Sequence, residues 1–423
     1  MADDGKVTAN AEDAQTYWVE AGFSPGGIIR QVDYPANSRG LHPSLAGIKI
    51  VDCDTHFSEP PDLFTSRAPA RLKDRMPYYK DVNGRPRWYI GDKDFGWWGG
   101  GNVVGADHNK LLGRLSYPSL EESHPACYQV APRLKMMDEM GVHAQICFQN
   151  SGVTQAGSLM ALGDDEIGFT ILKIYNDAAM ERERESGERL FTLGHLPLWN
   201  KKEMDAEARR CIDMGIKGFV LPDTPERYPM VPSYTDLSYW GDFLSMCEAS
   251  GRSLNFHLNA AINPSALTWK SFAFEQTMSI ASMMMALGNA ATIGNWMVSG
   301  LLDTYPKLKI GMIESGMGWV PFCLEALEHD FDEMVPKQDL QKRPWEYFKD
   351  NFWVTYWFER LGPKSLLETL GVDKVLFETD FPHPTSLYPG VQEHLVDTLG
   401  GYDFEVRRKV LERNAVELYN LPF

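Results

Sequence analysis

The chain has 423 residues, of which 41 are Lys or Arg and 58 are Asp or Glu, so its formal net charge is −17. Hydrophobic residues make up 43% and charged residues 23%, the proportions of an ordinary globular protein, which excludes a disordered chain. The acidic total argues against binding to nucleic acid or to a membrane of anionic lipid, because both select a basic surface. An anionic substrate would therefore need a local cationic group.

The N-terminus and the cysteines favour a cytoplasmic protein. The first residues are polar and acidic and lack the apolar segment of a secretory signal. No apolar run reaches the ~18–20 residues that cross a bilayer. The cysteines lie far apart and form no C-x-x-C pair, so we expect isolated core thiols rather than disulfides.

Composition and periodicity divide the chain into an arm and a long repetitive region. Residues 1–45 are rich in Gly, Pro, Ser and Asp, which predicts an N-terminal arm that crosses a neighbouring surface or subunit. After the arm, short apolar runs alternate with segments of helical period. The predicted strands are 49–53, 143–148, 190–196, 216–221, 253–258, 309–313, 352–357 and 374–377. The predicted helices are 129–141, 165–186, 202–214, 237–250, 272–304, 319–334, 362–371 and 404–418.

Eight strand and helix repeats over residues 46–423 predict an α/β fold, the (β/α)₈ TIM barrel, because parallel strands need crossover helices and a closed sheet has no exposed edge. An open doubly wound sheet is the alternative, but no Gly-rich phosphate turn follows the first strand. Residues 60–128 are too long for a simple loop. We expect them to form a lid or capping insertion at the catalytic end, or else a packing insertion or dimer contact.

Acidic and imidazole side chains gather at the predicted C-terminal ends of four strands. Asp54 and His56 follow strand 1, His257 ends strand 5, Glu314 follows strand 6 and Asp380 follows strand 8. In a barrel these ends surround one point. Carboxylates and imidazoles around one cavity suit a divalent cation such as zinc, iron or manganese. Each residue alone has a simpler interpretation, as a hydrogen-bonded histidine, a turn residue or a helix cap, so the prediction rests on their coincidence.

The chain resembles the amidohydrolase superfamily over residues 47–423, in the branch that includes aminocarboxymuconate-semialdehyde decarboxylase and the resorcylate-type decarboxylases. The resemblance rests on His257, on the 133–142 segment, and on four motifs: Val-Asp-Cys-Asp-Thr-His at 51–56, Gly-Ile-Lys-Gly at 215–218, Gly-Met-Gly-Trp-Val-Pro at 316–321 and Glu-Thr-Asp-Phe-Pro-His at 378–383. It implies that Asp54, His56, His257 and Asp380 hold one metal. It also implies a homodimer.

Glu314 stands where the resemblance implies a catalytic histidine. A carboxylate there would take a proton from an attacking water, or help to hold a second ion. We therefore expect a metal-dependent hydrolase of an amide, ester, lactone or thioester, with Glu314 and Asp380 as catalytic residues and with Glu59 and His383 orienting the ligands by hydrogen bonds. The alternative is a metal-dependent, non-oxidative decarboxylase of an aromatic or unsaturated acid. A third interpretation is an inactive barrel that serves as a binding protein.

The substrate is expected to be a small molecule, flat or bulky and apolar. Aromatic residues near the catalytic end, including Trp319 and the Trp97 of the insertion, indicate this. The predicted cationic contacts are Arg227 after strand 4, Lys270 after strand 5 and Arg360 after strand 7. Lys217 at the start of strand 4 is a further candidate, which either points into the barrel or only packs there. Most tryptophans would nevertheless pack in the core.

Overall fold

The structure, a computed structural model, describes residues 26–32, 40–258, 267–335 and 340–423. The strands of these residues are Ile28–Arg30 (β1), Val51–Phe57 (β2), Tyr78–Asp81 (β3), Pro86–Ile90 (β4), Lys93–Trp97 (β5), Lys110–Leu112 (β6), Ala144–Gln149 (β7), Leu190–Thr192 (β8), Gly218–Val220 (β9), Ser253–Phe256 (β10), Ile310–Met312 (β11), Phe352–Tyr356 (β12) and Val375–Phe377 (β13).

Helices connect these strands. Their bounds are Leu63–Arg67, Val130–Met140, Ala156–Leu162, Asp165–Glu185, Lys201–Met214, Leu237–Ser250, Phe274–Val298, Leu301–Thr304, Val320–Met334, Pro344–Asn351, Leu361–Ser365, Leu367–Leu370, Val391–Leu399, Phe404–Arg408 and Asn414–Tyr419, with a π-helical turn at Lys409–Arg413. No helix within the described ranges is both long enough and apolar enough to cross a membrane.

Eight parallel strands form the centre of the fold. One sheet has the order β2-β7-β8 and another the order β13-β12-β11-β10-β9. Single parallel bridges join Gly194 beyond β8 to Phe219 in β9, and Thr55 in β2 to Phe381 beyond β13. These bridges connect the two sheets at both edges, so the strands follow one another around a ring in chain order. The predicted α/β architecture with parallel strands and crossover helices is confirmed.

Glycines in the left-handed conformation end several of the connecting helices. Gly141, Gly215 and Gly251 adopt the left-handed conformation and cap the preceding helix, where a residue with a Cβ atom is strained. Gly371 has φ 101° and ψ 121°, outside the left-handed helical region. The predicted helix over 272–304 is interrupted, because Gly300 takes φ 76° and starts a separate short helix.

The insertion after β2 carries its own structure. Strands β3, β4 and β5 form an antiparallel sheet. Strand β6 pairs with β1, so the described part of the N-terminal arm at Ile28–Arg30 adds a strand to the insertion of the same chain. The Lys110 ammonium of β6 donates to the Ser386 carbonyl (2.5 Å), which joins the insertion to the loop after β13. The rest of the predicted arm, residues 1–25 and 33–39, lies outside the described residues.

In the described ranges the buried apolar side chains form two clusters, and the smaller of them contains side chains of β2, β7, β8, β12 and β13. All seven residues of β2 and all five of β12 are buried, as expected of strands covered by helices on one side and by barrel side chains on the other. The six cysteines are free, with Cys323 half-buried and the others buried, which confirms the prediction of core thiols.

Candidate active site

Strand β2 supplies two side chains of the site from inside the strand rather than after it. The predicted strand ended at Cys53, whereas pairing with β7 continues to Phe57. The register shifts between Asp52 and Thr55, where β2 contains one more residue than its partner. Such a bulge re-aims side chains beside active sites. Asp54 and His56 are thereby buried at the strand end, with exposed fractions of 0% and 4%.

The loops after β11 and β13 supply two carboxylates from an unusual backbone conformation. Glu314 has φ 52° and Asp380 has φ 58°. Residues other than glycine rarely adopt positive φ, and strain of this kind gathers at functional sites. Hydrogen bonds hold both residues there, because Glu314 N donates to Glu378 Oε2 (2.9 Å) and Asp380 N donates to Asp54 O (2.9 Å).

These side chains meet in one buried cluster together with His257, which follows β10. The Nε2 atom of His257 lies 3.1 Å from Glu314 Oε2 and 3.3 Å from Asp54 Oδ2. The Nε2 atom of His56 lies 3.4 Å from Asp380 Oδ1 and 3.7 Å from Asp54 Oδ1. One potential ligand atom from each of Asp54, His56, His257 and Glu314 lies within 4.8 Å of the others. We call Asp54, His56, His257, Glu314 and Asp380 the metal cluster.

Five polar atoms of the metal cluster lack hydrogen-bond partners among the described residues. Both carboxylate oxygens of Asp54, the Nε2 atoms of His56 and His257, and Oδ1 of Asp380 are buried and unsatisfied. The Nδ1 atom of His56 lies 2.8 Å from the Gln149 carbonyl oxygen, which can only accept. His56 therefore carries its proton on Nδ1 and directs the Nε2 lone pair into the cluster, as a metal-binding histidine does.

Burial shapes the electrostatics of the metal cluster. It raises the pKa of Asp54 and of Glu314 well above the usual range, and neighbouring carboxylates such as Asp380 add to the effect. Burial alone would also raise the pKa of Asp380, but His383 and His56 beside it lower that pKa overall. Burial lowers the pKa of His257 to about 4, which keeps the imidazole neutral and able to bind a metal.

The donor set therefore fits a divalent cation. Carboxylate oxygens and neutral imidazole nitrogens are ligands of zinc, iron and manganese, and a cation would offset the repulsion among the buried acids. The unsatisfied buried atoms are the observation behind this fit, because polar atoms buried in a protein normally have partners.

A second layer of polar side chains orients the metal cluster. The ring of His383 stacks on that of His56 at 3.7 Å between centroids, and its Nδ1 atom lies 3.0 Å from Asp380 Oδ1. Its Nε2 atom lies 2.9 Å from Asn150 Oδ1. Glu59 is buried, and its Oε1 accepts a long hydrogen bond from Asn150 N (3.4 Å). The sequence prediction missed Asn150 and Glu378, although Glu378 directly follows the predicted strand 374–377 and Asn150 lies two residues after the predicted strand 143–148.

The insertion reaches this second layer. A Cβ atom added to Gly101 would lie 2.2 Å from the His383 ring, so only glycine allows the insertion backbone this close. The Trp98 indole donates to the Glu59 carbonyl (2.8 Å). Residues 60–128 thus help to enclose the metal cluster.

Two cavities open on the metal cluster. The larger, of about 600 Å³, includes His257, Glu314, Asp380 and His383 in its walls. We call it the apolar cavity because its other walls include Phe95, Trp97, Leu115, Phe274, Met278 and Met285. The smaller, of about 370 Å³, includes His56 and His257. We call it the polar cavity because its other walls include Gln149, Thr154, His195, Asp223, Arg227 and Tyr228.

The structure does not bring three of the predicted substrate contacts to these cavities. Lys217 lies at the start of β9, which is the end of that strand that points away from the metal cluster, and its ammonium lies 3.0 Å from the Glu183 carboxylate. Arg360 is exposed and pairs with Asp397 (3.1 Å). The Trp319 indole donates to the Ser315 carbonyl (2.8 Å). Each of them has a partner elsewhere, and among the described residues that line the cavities the predicted candidates are Trp97 and Arg227.

Comparison with known proteins identifies the family. The family model described as Amidohydrolase matches residues 51–421. The chain belongs to this amidohydrolase family. The predicted resemblance to the superfamily is thereby confirmed, and the match runs from the first residue of β2 to the end of the barrel.

One protein similar to this chain is a gamma-resorcylate decarboxylase from Rhodococcus jostii. The two sequences are 26% identical over 267 residues, which cover 59% of this chain and 76% of that protein. A crystal structure of an amidohydrolase from Mycobacterium avium subsp. paratuberculosis has a TM-score of 0.67 at 20% identity, covering 88% of this chain and 98% of the other. A dihydroxybenzoic acid decarboxylase from Polaromonas sp., with bound manganese and the inhibitor 2-nitroresorcinol, has a TM-score of 0.57 at 18% identity, covering 89% and 98%.

Proposed function

We propose that this amidohydrolase is a metal-dependent, non-oxidative decarboxylase of an aromatic carboxylic acid. The observation that carries the proposal is the apolar cavity, which shares His257, Glu314 and Asp380 with the metal cluster and whose aromatic and Met walls suit a flat ring. The similarity to a gamma-resorcylate decarboxylase supports this reaction class over the hydrolysis that Glu314 alone had favoured.

Asp54, His56, His257 and Asp380 would hold the cation, with Glu314 as a further carboxylate beside it. When bound, a divalent cation supplies the local positive charge that an aromatic carboxylate needs in this acidic chain. The polar residues around these ligands fix their orientation, since the Gln149 carbonyl sets the His56 tautomer and His383 contacts Asp380.

The reaction breaks the bond between the ring carbon and the carboxyl carbon. CO₂ leaves, the electron pair stays on the ring carbon, and that carbon takes one proton. Glu314 lines both the metal cluster and the apolar cavity, and burial raises its pKa, so we assign the proton-holding role to Glu314. Asp380 also lines both, but the histidines beside it lower its pKa, so it stays ionised as a ligand of the cation. The apolar walls exclude water that would otherwise compete for the reacting carbon.

Hydrolysis is the second candidate. It is favoured by the residue type at position 314, because a glutamate there can take a proton from an attacking water when it is ionised. The same cavity would then hold an aromatic amide, ester or lactone.

A product assay separates the two reactions. The protein is stripped of metal, reloaded with manganese or zinc, and incubated with hydroxybenzoates, methoxyhydroxybenzoates and matched aromatic esters, amides and lactones. We expect CO₂ and the decarboxylated phenol from at least one acid, with ester, amide and lactone unchanged. Carboxylic acid formed from an ester, amide or lactone without CO₂ release from any acid would replace the proposal with hydrolysis.

A further inference from the structure

The polar cavity contrasts with the apolar cavity in the chemistry of its walls. It is formed at the ends of β7, β8 and β9, by residues such as Gln149, His195 and Asp223. His257 and Leu258 line both cavities, so the two meet at the metal cluster. A ligand whose reacting group lies at His257 can therefore extend into both.

Three atoms of the polar-cavity residues have no hydrogen-bond partner within the described part of the chain. They are Gln149 Oε1, Thr154 Oγ1 and His195 Nε2. Thr154 is 1% exposed and His195 is 7% exposed, so bulk water does not satisfy these groups. None of the three residues is a member of the metal cluster, and polar groups left unpaired in this way need a partner from elsewhere.

The described wall residues of the polar cavity carry no net charge, because their one arginine is paired with their one aspartate. Arg227 Nη2 lies 3.3 Å from Asp223 Oδ2, so the cation and the anion neutralise each other. Burial lowers the pKa of His195 to about 4, which leaves a neutral ring with one donor and one acceptor. Gln149 and Thr154 are uncharged. The cavity is therefore suited to a ligand group that donates and accepts hydrogen bonds and carries no charge.

We propose that the polar cavity is a specificity subsite for an uncharged hydroxyl- or amide-bearing substituent of the substrate, with Gln149, Thr154 and His195 as its contacts. The proposal rests on the proposed function for the identity of the aromatic core, and it adds a polar arm to that core. The reacting carboxylate and ring lie at the metal cluster and in the apolar cavity, and the arm extends past His257.

The first test needs no substrate. Thr154→Val removes an unpaired hydroxyl, so the melting temperature should stay equal or rise. Thr398→Val is the matched control, because Thr398 is also buried and its Oγ1 donates to the His394 carbonyl (2.8 Å), so that variant should melt lower. If Thr154→Val lowered the melting temperature as much as Thr398→Val does, the Thr154 hydroxyl would have a structural role, and the subsite would be overturned.

The second test compares salicylate derivatives that carry either an acetamido group or an alkyl group of equal size. The manganese-loaded wild type should bind the acetamido member of each pair at least about tenfold more tightly than the alkyl member, because only the acetamido group can form hydrogen bonds with the subsite. The ratio should collapse towards one in Thr154→Val and His195→Phe. Thr170→Val, on a helix outside both cavities, should keep the wild-type ratio.

The outcomes separate the subsite from the proposed function. Equal binding of every pair by the wild type would overturn the subsite even if CO₂ is released. A preserved acetamido preference without CO₂ release from any acid would support the subsite and overturn decarboxylation.

Discussion

Asp52 and Asp54 lie two residues apart on β2 and are both fully buried, yet their surroundings differ completely. Asp52 accepts hydrogen bonds from Thr379 N (2.8 Å), Thr379 Oγ1 (2.6 Å) and Gln145 Nε2 (3.2 Å). Neither oxygen of Asp54 has a hydrogen-bond partner among the described residues. The bulge in β2 falls between Asp52 and Thr55 and gives the two carboxylates different neighbours.

One buried acid is thus satisfied by the fold itself, whereas the other has carboxylate oxygens without a partner among the described residues. Asp52 belongs to a network that continues through Gln145 to the buried Arg133, whose guanidinium also donates to the His56 carbonyl (2.8 Å). That network joins β2, β7 and the loop after β13, and so positions the backbone of the metal cluster. Asp54 has no such role, and its unsatisfied oxygens are available to a ligand.

The largest effect is expected from Asp54→Asn. We expect a loss of metal affinity of at least about 100-fold, since even groups that only orient a ligand contribute about 10–100-fold. The metal-free variant should be as stable as the metal-free wild type or more stable, because one buried acid beside Glu314 is removed. Metal analysis and thermal unfolding check both. Full metal content in the variant would exclude Asp54 as a ligand.

Asp52→Ala should show the opposite pattern. Loss of the acceptor leaves the Thr379 amide and the Gln145 side chain unpaired, and each such group costs about 1–3 kcal/mol. We expect the free energy of unfolding of the metal-free protein to fall by roughly 3–5 kcal/mol, measured in urea. The exposed Asp74→Ala is the control, with an expected change within about 0.5 kcal/mol. A stable Asp52→Ala protein would remove the contrast between the two acids.

His195 extends the comparison to an unpaired imidazole. Burial lowers its pKa from 6.5 to about 4, so as the pH falls below 6.5 the unfolded state takes up a proton first and stability is lost until the folded state is protonated near pH 4. Between pH 7 and pH 4.5, metal-free His195→Phe should lose about 2 kcal/mol less stability than metal-free wild type. Equal losses in urea unfolding would contradict a neutral, buried His195.

The smallest effect is expected at Glu359, an acid satisfied by backbone groups. Its carboxylate accepts from Met317 N (3.0 Å) and Gly318 N (2.7 Å) and so holds the loop after Glu314. In Glu359→Gln a neutral acceptor replaces a charged one, which should lower the free energy of unfolding by about 1 kcal/mol. Metal content should stay at the wild-type level, and its loss would place Glu359 within the metal cluster.

The sequence predicted the barrel well because its strands and helices have local signals. The apolar runs located β2 and β7 to β13, and the periodic segments located most of the connecting helices. The sequence also predicted that the side chains of the metal cluster lie together, because the C-terminal ends of parallel strands meet in a barrel. That prediction needed only the residue types at the strand ends. The helix Ala156–Leu162 and the strands of the insertion were not predicted, because they depend on contacts with the barrel rather than on periodicity.

The substrate contacts could not be predicted in the same way. Lys217, Arg360 and Trp319 were chosen by position along the chain, but their partners Glu183, Asp397 and the Ser315 carbonyl are set by packing between elements. The walls of the apolar cavity come from the insertion and from the helix Phe274–Val298, which lie far apart in sequence. The side chains that line a cavity therefore depend on how segments distant in sequence pack together, which local sequence patterns do not reveal.

Metal-dependent decarboxylation is tested most directly by following the reaction in D₂O with carboxyl-¹³C-labelled hydroxybenzoates, using metal-stripped and manganese-reloaded protein. We expect ¹³CO₂ from the reloaded protein only, one deuterium on the ring carbon that lost the carboxyl group, and no ¹³CO₂ from Asp54→Asn. Release of ¹³CO₂ at equal rates from stripped, reloaded and Asp54→Asn proteins, or its absence with every acid tested, would contradict metal-dependent decarboxylation at this cluster.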